Sequence, residues 1–460
     1  MPPSSPPRSA PGSVTVPRLV AADVLAELRT GMLLDPVFER RAATLDARDR
    51  RWLQELVWGT LRQRAWLDAL LTDRVRGGLA RLDPDVTDLL RLGAYQLLRM
   101  GSVPPYAAIG QTVELAKQRH GIGASRLVNA VLRRIDRDHQ AGGLAALEPA
   151  TPPDDPLEAL ALRYSHPRWL VARWVERYGM EDAERLLAAN NVEAPVVVRP
   201  YGVTSEELAE SLAAAGVTVE PPPEGTIEAR DSLRLAPGTP VTALGAFRQG
   251  LFFMQDPAST LVTQYAAAPA GSEAADLCAA PGGKALELAR TARAVYAGDR
   301  SVARLRRVVA NARRVNAPNV LPFAGDARAP AVAPVDVVLV DAPCTGTGTF
   351  RRHPDARWRL RISDLAVMAA LQREILRSAA TVVRPGGLLV YSTCSLEPEE
   401  NDMQVDAFLA DHPEFALEPP PADAVPESAL DAGRLRVLPQ RHGVDGAFAA
   451  RLRRARQVAA

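Results

Sequence analysis

Three cysteines occur in the 460 residues, and each closes an apolar run: Cys278 ends AADLC, Cys344 follows VDVVLVDAP (335–343), and Cys394 lies in LLVYSTCS (388–395). If the runs are parallel strands of one sheet, all three sulfurs lie along the carboxyl edge, where open α/β sheets bind ligands. A single free cysteine is ordinarily a buried core residue; three with the same placement argue for a site. The stretch DAPCTGTGTFRRHPD (341–355) puts Asp341 three residues before Cys344. An acid and a thiol suit methylation at C5 of a pyrimidine. C5 of cytosine is a poor nucleophile until a thiolate adds to C6, and an acid beside N3 neutralises the charge that develops. Two thiols, Cys344 and Cys394, are more than one nucleophile needs. No CxxC pair or His/Cys cluster supports a metal site. An odd, sparse cysteine count points to a reducing cytoplasm rather than a disulfide framework.

In DLCAAPGGK (276–284) a strand turns through Pro-Gly-Gly directly into a helix. Glycine lets the backbone approach a ligand, and the start of a helix offers free N–H groups to a carboxylate or phosphate. The G-x-G-x-x-G fingerprint of dinucleotide sites is missing. Asp299, in AGDR, stands where an acid binds ribose hydroxyls, and Asp326, in GDA, stands near the expected place of an adenine. Ribose, adenine and an amino-acid carboxylate together describe S-adenosylmethionine. In the glycine-rich loop 346–353, which reads as mobile, Arg351 and Arg352 are candidates for phosphates flanking a target base.

These residues need a sheet to hold them. From residue 255 onward apolar runs alternate with helical stretches, as in a parallel α/β sheet. Strands are expected at 274–278, 293–298, 320–323, 335–340 and 387–392, with Pro385-Gly386-Gly387 as the turn into the last. Helices are expected at 284–291, 301–316, 362–383 and 401–412. The fold class is α/β: a Rossmann-like methyltransferase domain (251–456), preceded by an all-α domain (18–141), a linker (142–156) and a small α+β connecting domain (157–250). Residues 1–17, rich in Pro and Ser, read as a disordered leader without a secretion h-region. In the all-α part, apolar residues recur at three and four in 52–71, 86–100, 109–121 and 125–135. Asp46 and Asp83-Pro84 read as helix starts. Arg62, Arg64, Arg133, Arg134 and Arg137 could give this domain a basic face, and ordinary solvated surface is an equal reading. The formal charge of +1 neither demands nor excludes nucleic acid, and no apolar run reaches the ~18 residues of a membrane span.

In order, QDPAS (255–259), DLCAAPGGK, AGDRS, GDA, DAPCTGTGTFRRHPD and STCS resemble the RNA 5-methylcytosine methyltransferases. ELVWGTLR (55–62), LRLGAYQLLRM (90–100), VPPYAAIGQTVELAK (103–117) and LVNAVLRR (127–134) resemble the NusB-like RNA-binding domain that marks the bacterial 16S ribosomal RNA branch of that family. The resemblance implies that Cys394 is the nucleophile and that Cys344 assists release of the methylated base; in DNA cytosine methyltransferases the Pro-Cys cysteine, here Cys344, is the nucleophile instead. It implies that Asp341 belongs to the catalytic set, and that S-adenosylmethionine meets Cys278, Ala279, Ala280, Pro281, Gly282, Gly283, Lys284, Asp299, Asp326 and Asp341. It implies a cytoplasmic monomer acting on 16S ribosomal RNA or an assembling small subunit, without metal or membrane. Ala285 stands where the family usually has Thr, and Ala447 where an aromatic is usual. Methylation of another RNA, such as tRNA, is an alternative. An inactive RNA-binding, antitermination-like protein is another, against which the retention of both thiols speaks.

Overall fold

The computed structural model describes residues 14–147 and 154–456. Most of the expected leader and part of the expected linker lie outside the described residues. Val16 and Pro17, read as leader, already belong to the helix Val16–Leu28. The described chain divides into two units: residues up to Asn191 together with His353–Arg359, and Val192–Arg352 together with Leu360 onward.

The first unit is helical. Asp46 and Asp83 start their helices as expected, each side chain accepting a backbone N–H in the first turn (from Asp49 and Asp85), which satisfies donors that have no partner inside the helix. The single helix expected over 52–71 is two, Ala47–Arg62 and Arg64–Thr72, broken at Gln63. The two expected over 109–135 are one run, Pro105–Gly142, kinked at Gly121, whose φ of 79° a side chain would resist. Leu53, Leu56, Leu89, Leu90, Val128 and Leu132 meet in one core. Arg133, Arg134 and Arg137 are exposed on the long helix, whereas Arg62 and Arg64 are half-buried. The helices Pro156–Arg163, Arg168–Tyr178 and Met180–Ala189 group with this unit, although the sequence placed them in the connecting domain. So does His353–Arg359: the fully buried Arg357 donates to the carbonyls of Ser165 and Asn190 and to Asn191 Oδ1, and Trp358 Nε1 donates to the Leu61 carbonyl at 2.8 Å.

The second unit holds two sheets. The small one is antiparallel, in the order β2-β3-β1-β4, from β1 (Val196–Pro200), β2 (Val219–Glu220), β3 (Leu233–Leu235) and β4 (Phe252–Met254). The large one contains the expected parallel strands β5 (Glu273–Asp276), β6 (Ala294–Asp299), β7 (Val320–Ala324), β8 (Val335–Asp341) and β9 (Val383–Thr393), in the order β9-β8-β5-β6-β7. Along β8 the side chains alternate between two cores: Val337 and Leu339 pack with Leu286 and Val308 on one face, and Val338 and Val340 with Ile375 and Phe408 on the other. Burial on both faces explains why these strands read as continuous apolar runs.

Two features correct the sequence reading. The sheet is mixed: β10 (Phe415–Leu417), β11 (Leu430–Asp431), β12 (Arg434–Val437) and β13 (Ala447–Arg454) extend it antiparallel, with β13 paired to β9. β13, AFAARLRR, is built of Ala, Arg and Leu with almost no β-branched or aromatic residue, so propensity gave no sign of a strand. Pro385-Gly386-Gly387 is a bulge inside β9, where the register jumps from Val335↔Val383 to Val337↔Leu388.

Candidate active site

Because β5, β8 and β9 are neighbours in parallel register, the chain leaves them on the same edge, and the cysteines that follow β8 and β9 are brought together. Cys344 Sγ and Cys394 Sγ lie 3.4 Å apart. The approach needs backbone without side chains. A Cβ on Gly348 would lie 2.7 Å from the Cys394 carbonyl oxygen and 2.7 Å from the Gly446 Cα. Gly348 N donates to that carbonyl at 2.9 Å, and Gly446 N donates to the Gly348 carbonyl at 2.8 Å. The loop after Cys344, read as mobile from its glycines, is thus pinned to the strand end that carries Cys394.

Beside the sulfurs, Asp341 at the end of β8 accepts from Lys284 Nζ at 2.8 Å through Oδ2 and from Ser392 Oγ at 2.9 Å through Oδ1. Burial alone would lower the Lys284 ammonium; the Asp341 carboxylate, then Cys394 and Asp276, outweigh it and raise the group. Lys284 is therefore a fixed positive charge in the field of Cys394. The Cys344 thiol is pushed well up by its hydrogen bond to Cys394, by burial, and by the charges on Cys394 and Glu400. Burial and the Asp276 carboxylate push Cys278 up as well, so it is a thiol and no nucleophile near neutral pH.

Three further acids lie at or just beyond the next strand ends: Asp299 and Asp326, expected at the cofactor, and Asp276, which the sequence reading did not single out. Asp276 is fully buried; burial, then the Asp341 carboxylate, push its carboxyl up to about 7. Asp299 Oδ1 accepts from Ser301 N at 2.7 Å and from Arg304 at 3.0 Å. Asp276 Oδ2 and Asp299 Oδ2 are buried without a hydrogen-bond partner. Buried polar atoms are almost always satisfied, and a ligand rich in hydroxyl and ammonium donors, as S-adenosylmethionine is, fits these two. Between them the chain turns at Gly282, with φ of +112°. Asp326 is engaged differently: the Arg328 guanidinium and backbone N–H hold its carboxyl down at about 2. Ala285 and Ala447 are both buried. Replacing Asp299 by Ala should weaken binding of S-adenosylmethionine by roughly 1.5 to 3 kcal/mol, the range for a hydrogen bond to a charged group. Titration calorimetry measures it, and an unchanged affinity removes Asp299 from the cofactor site.

Arg351 and Arg352, read as candidates for RNA phosphates, are engaged with carboxylates of the protein itself. Arg351 is buried and pairs with Asp256 Oδ2 at 2.9 Å, with Asp445, and with the Gly443 carbonyl at 2.9 Å. Arg352 pairs with the same two carboxylates. Guanidinium groups shared between two buried carboxylates, one of which also caps the helix Pro257–Ala266, anchor the loop that follows Cys344 and are poor candidates for phosphates. Arg351→Met leaves two buried carboxylates short of a partner and should cost about 3 to 5 kcal/mol of unfolding free energy. A variant that unfolds at the wild-type denaturant concentration would return Arg351 to an RNA-binding role.

Sequence reasoning missed the residues that hold these pieces together: Glu400, Ser395, Thr345, Gln372, Asn401 and the Asp256/Asp445 pair. Thr393 Oγ1 donates to Asn401 Oδ1 at 2.5 Å, and Asn401 Nδ2 donates to the Ser395 carbonyl at 2.8 Å. The signal was the run PEEN (398–401), three polar residues behind a proline, two residues after the STCS strand end. Among the described residues, no group of three or more His, Cys, Asp or Glu side chains could hold a metal ion, and no helix is long and apolar enough to cross a membrane.

Known proteins resemble this chain. Residues 265–453 match the family model described as 16S rRNA methyltransferase RsmB/F, residues 15–137 the NusB family, and residues 166–242 the ferredoxin-like domain of RsmF/B-like methyltransferases. The chain is 37% identical over 409 residues to the ribosomal RNA small subunit methyltransferase B of Vibrio cholerae, covering 87% of this chain and 88% of that one. It is 34% identical over 425 residues to the probable ribosomal RNA small subunit methyltransferase B of Synechocystis, covering 88% and 92%. The solved structure of PH0851 superposes with a TM-score of 0.78 at 27% identity, over 96% of this chain and 99% of that one. A methyltransferase homolog from Pyrococcus horikoshii does so with a TM-score of 0.54 at 27% identity, over 65% and 99%. With a helical unit, a small antiparallel sheet and a mixed α/β sheet in the same order as the three matched families, the chain belongs to the 16S rRNA methyltransferase RsmB/F family.

Proposed function

We propose that this protein transfers a methyl group to C5 of a cytosine in 16S ribosomal RNA, through a covalent bond between Cys394 and C6 of the base. The observation that carries the reading is the pair of sulfurs 3.4 Å apart at adjacent strand ends, beside the Lys284–Asp341 pair at 2.8 Å. S-adenosylmethionine, when bound, supplies an electrophilic methyl group. The Cys394 thiolate, favoured by the positive charge of Lys284, adds to C6, and the electron pair of the C5–C6 bond becomes available at C5. The Lys284 ammonium, held in place by Asp341, offers an N–H donor to the charge that this addition pushes toward N3. Once C5 carries the methyl group, its proton leaves to water, the C5–C6 double bond re-forms, and the electrons of the C6–S bond return to Cys394. The Cys344 thiol, held protonated, donates a hydrogen bond to the departing sulfur.

The base must leave its stack to reach sulfurs at a sheet edge, which suits single-stranded or extruded nucleotides. The ribosomal RNA substrate follows from the names of the relatives. RNA binding by the NusB-like unit, with the exposed Arg133, Arg134 and Arg137 as candidate phosphate contacts, follows from the domain match and from charge. The substrate is 16S RNA, naked or in an assembling subunit, and the protein acts on it as a cytoplasmic monomer. The test is incubation of 16S RNA lacking its base methylations with the protein and S-adenosylmethionine labelled in the methyl group, followed by digestion to nucleosides. Label in 5-methylcytidine is expected; label in any other nucleoside overturns the reading.

A further inference from the structure

Glu400 is fully buried, at the start of the helix Asp402–Asp411 and outside every motif that named the site. Its carboxylate takes four donors. Thr345 N donates to Oε1 at 2.9 Å, and Gln372 Nε2 donates to the same oxygen at 2.9 Å while also donating to the Pro343 carbonyl at 2.9 Å. The hydroxyls of Thr345 and Ser395 both donate to Oε2. Thr345 follows Cys344 directly and Ser395 follows Cys394 directly, so one side chain grips the residue after each thiol. The Tyr391 hydroxyl, from β9, holds the Glu400 carbonyl at 2.7 Å. A buried charge costs several kcal/mol unless it is well partnered, and a purely structural link between two loops would need no charge.

We propose that Glu400 is a positioning residue for the methylation reaction: it ties the loop of Cys344 to the strand end of Cys394 and gives the two thiols different charge environments. The proposal rests on the covalent mechanism above and says how one protein tells its two cysteines apart. Two of the four donors come from Thr345 and a third from Gln372, which also holds the Pro343 carbonyl, whereas Ser395 alone belongs to the Cys394 strand end. The Glu400 charge therefore opposes a second negative charge on Cys344, while Lys284, held by the Asp341 that also holds Ser392, favours one on Cys394. The proton shared by two sulfurs 3.4 Å apart therefore stays on Cys344, and Cys394 is the thiolate that attacks.

The test is the pH dependence of alkylation by iodoacetamide, resolved for each cysteine by peptide mass spectrometry, in the full-length protein and in Glu400→Gln. Gln keeps the size of the side chain, and the two hydroxyls can turn to accept from its amide. In the wild type Cys394 should react at lower pH than Cys344. In Glu400→Gln the Cys344 profile should move to lower pH by about one unit or more, the Cys394 profile should change less, and turnover should fall at least about tenfold with cofactor affinity unchanged. A merely structural Glu400 would lower the melting temperature and leave the Cys344 profile where it was, and that result overturns the proposal. If Glu400→Gln does not fold, Glu400→Asp keeps the charge on a shorter arm: the order of reactivity should persist while turnover falls, and wild-type turnover overturns the proposal. Failure of the covalent reading is seen separately, as absence of 5-methylcytidine from the wild-type reaction whatever the alkylation profiles show.

Discussion

Cys394→Ala is expected to abolish methyl transfer, with a loss of turnover on the order of 10⁴-fold or more, since removing a covalent nucleophile leaves only binding and electrostatic stabilisation behind. No other side chain can take over the role. Cys344 is the nearest nucleophile, at 3.4 Å, but its thiol is pushed well above its ordinary range by the hydrogen bond to Cys394, by burial and by nearby negative charge. Cys278, at the end of β5, is raised by burial and by Asp276. Single-turnover assays with saturating cofactor measure the chemical step. A Cys394→Ala protein within about tenfold of wild type would show that C5 is activated in another way.

The second large effect is expected at Asp341. Its carboxylate spends one oxygen on Lys284 and the other on Ser392, so it both fixes the ammonium beside Cys394 and joins the ends of β8 and β9. Asp341→Asn keeps the shape and removes the charge. Lys284 then loses the partner that does most to offset its burial, the positive charge beside Cys394 weakens, and the charge developing toward N3 meets no prepared pair. Turnover should fall roughly 10² to 10³-fold, the usual loss when one preorganised stabilising group is removed. The same change should let Asp276 ionise at lower pH, because the Asp341 charge stands second only to burial in raising that carboxyl to about 7. A variant with near-normal turnover would reduce Asp341 to a strand-end tie.

Much of this was legible in the sequence because the catalytic sheet is buried on both faces. Runs such as VDVVLVD and LLVYST read as interior strands, and a cysteine follows each, three residues on in the first and at once in the second, which puts the thiols on one edge. Helix starts were legible for a local reason, since Asp46 and Asp83 cap within three residues of themselves. What the sequence did not show depends on contacts between distant residues. Arg351 and Arg352 look like phosphate ligands in a glycine-rich loop. Asp256 and Asp445, which claim them, lie about ninety residues away on either side. β13 carries no strand propensity and is held by its pairing with β9. Glu400 sits in an acidic run whose local sequence gives no sign of burial, and only the fold brings Thr345 and Gln372 to it.

The two thiols are expected to act in order, Cys394 first in attack and Cys344 afterwards in release, and a denaturing gel tests that order. Cys344→Ala should still attack and methylate but release slowly, so with 16S RNA and S-adenosylmethionine it should accumulate a protein–RNA complex that survives denaturation. Cys394→Ala should form none under the same conditions. A complex from Cys394→Ala and none from Cys344→Ala would contradict the assignment and make Cys344 the nucleophile.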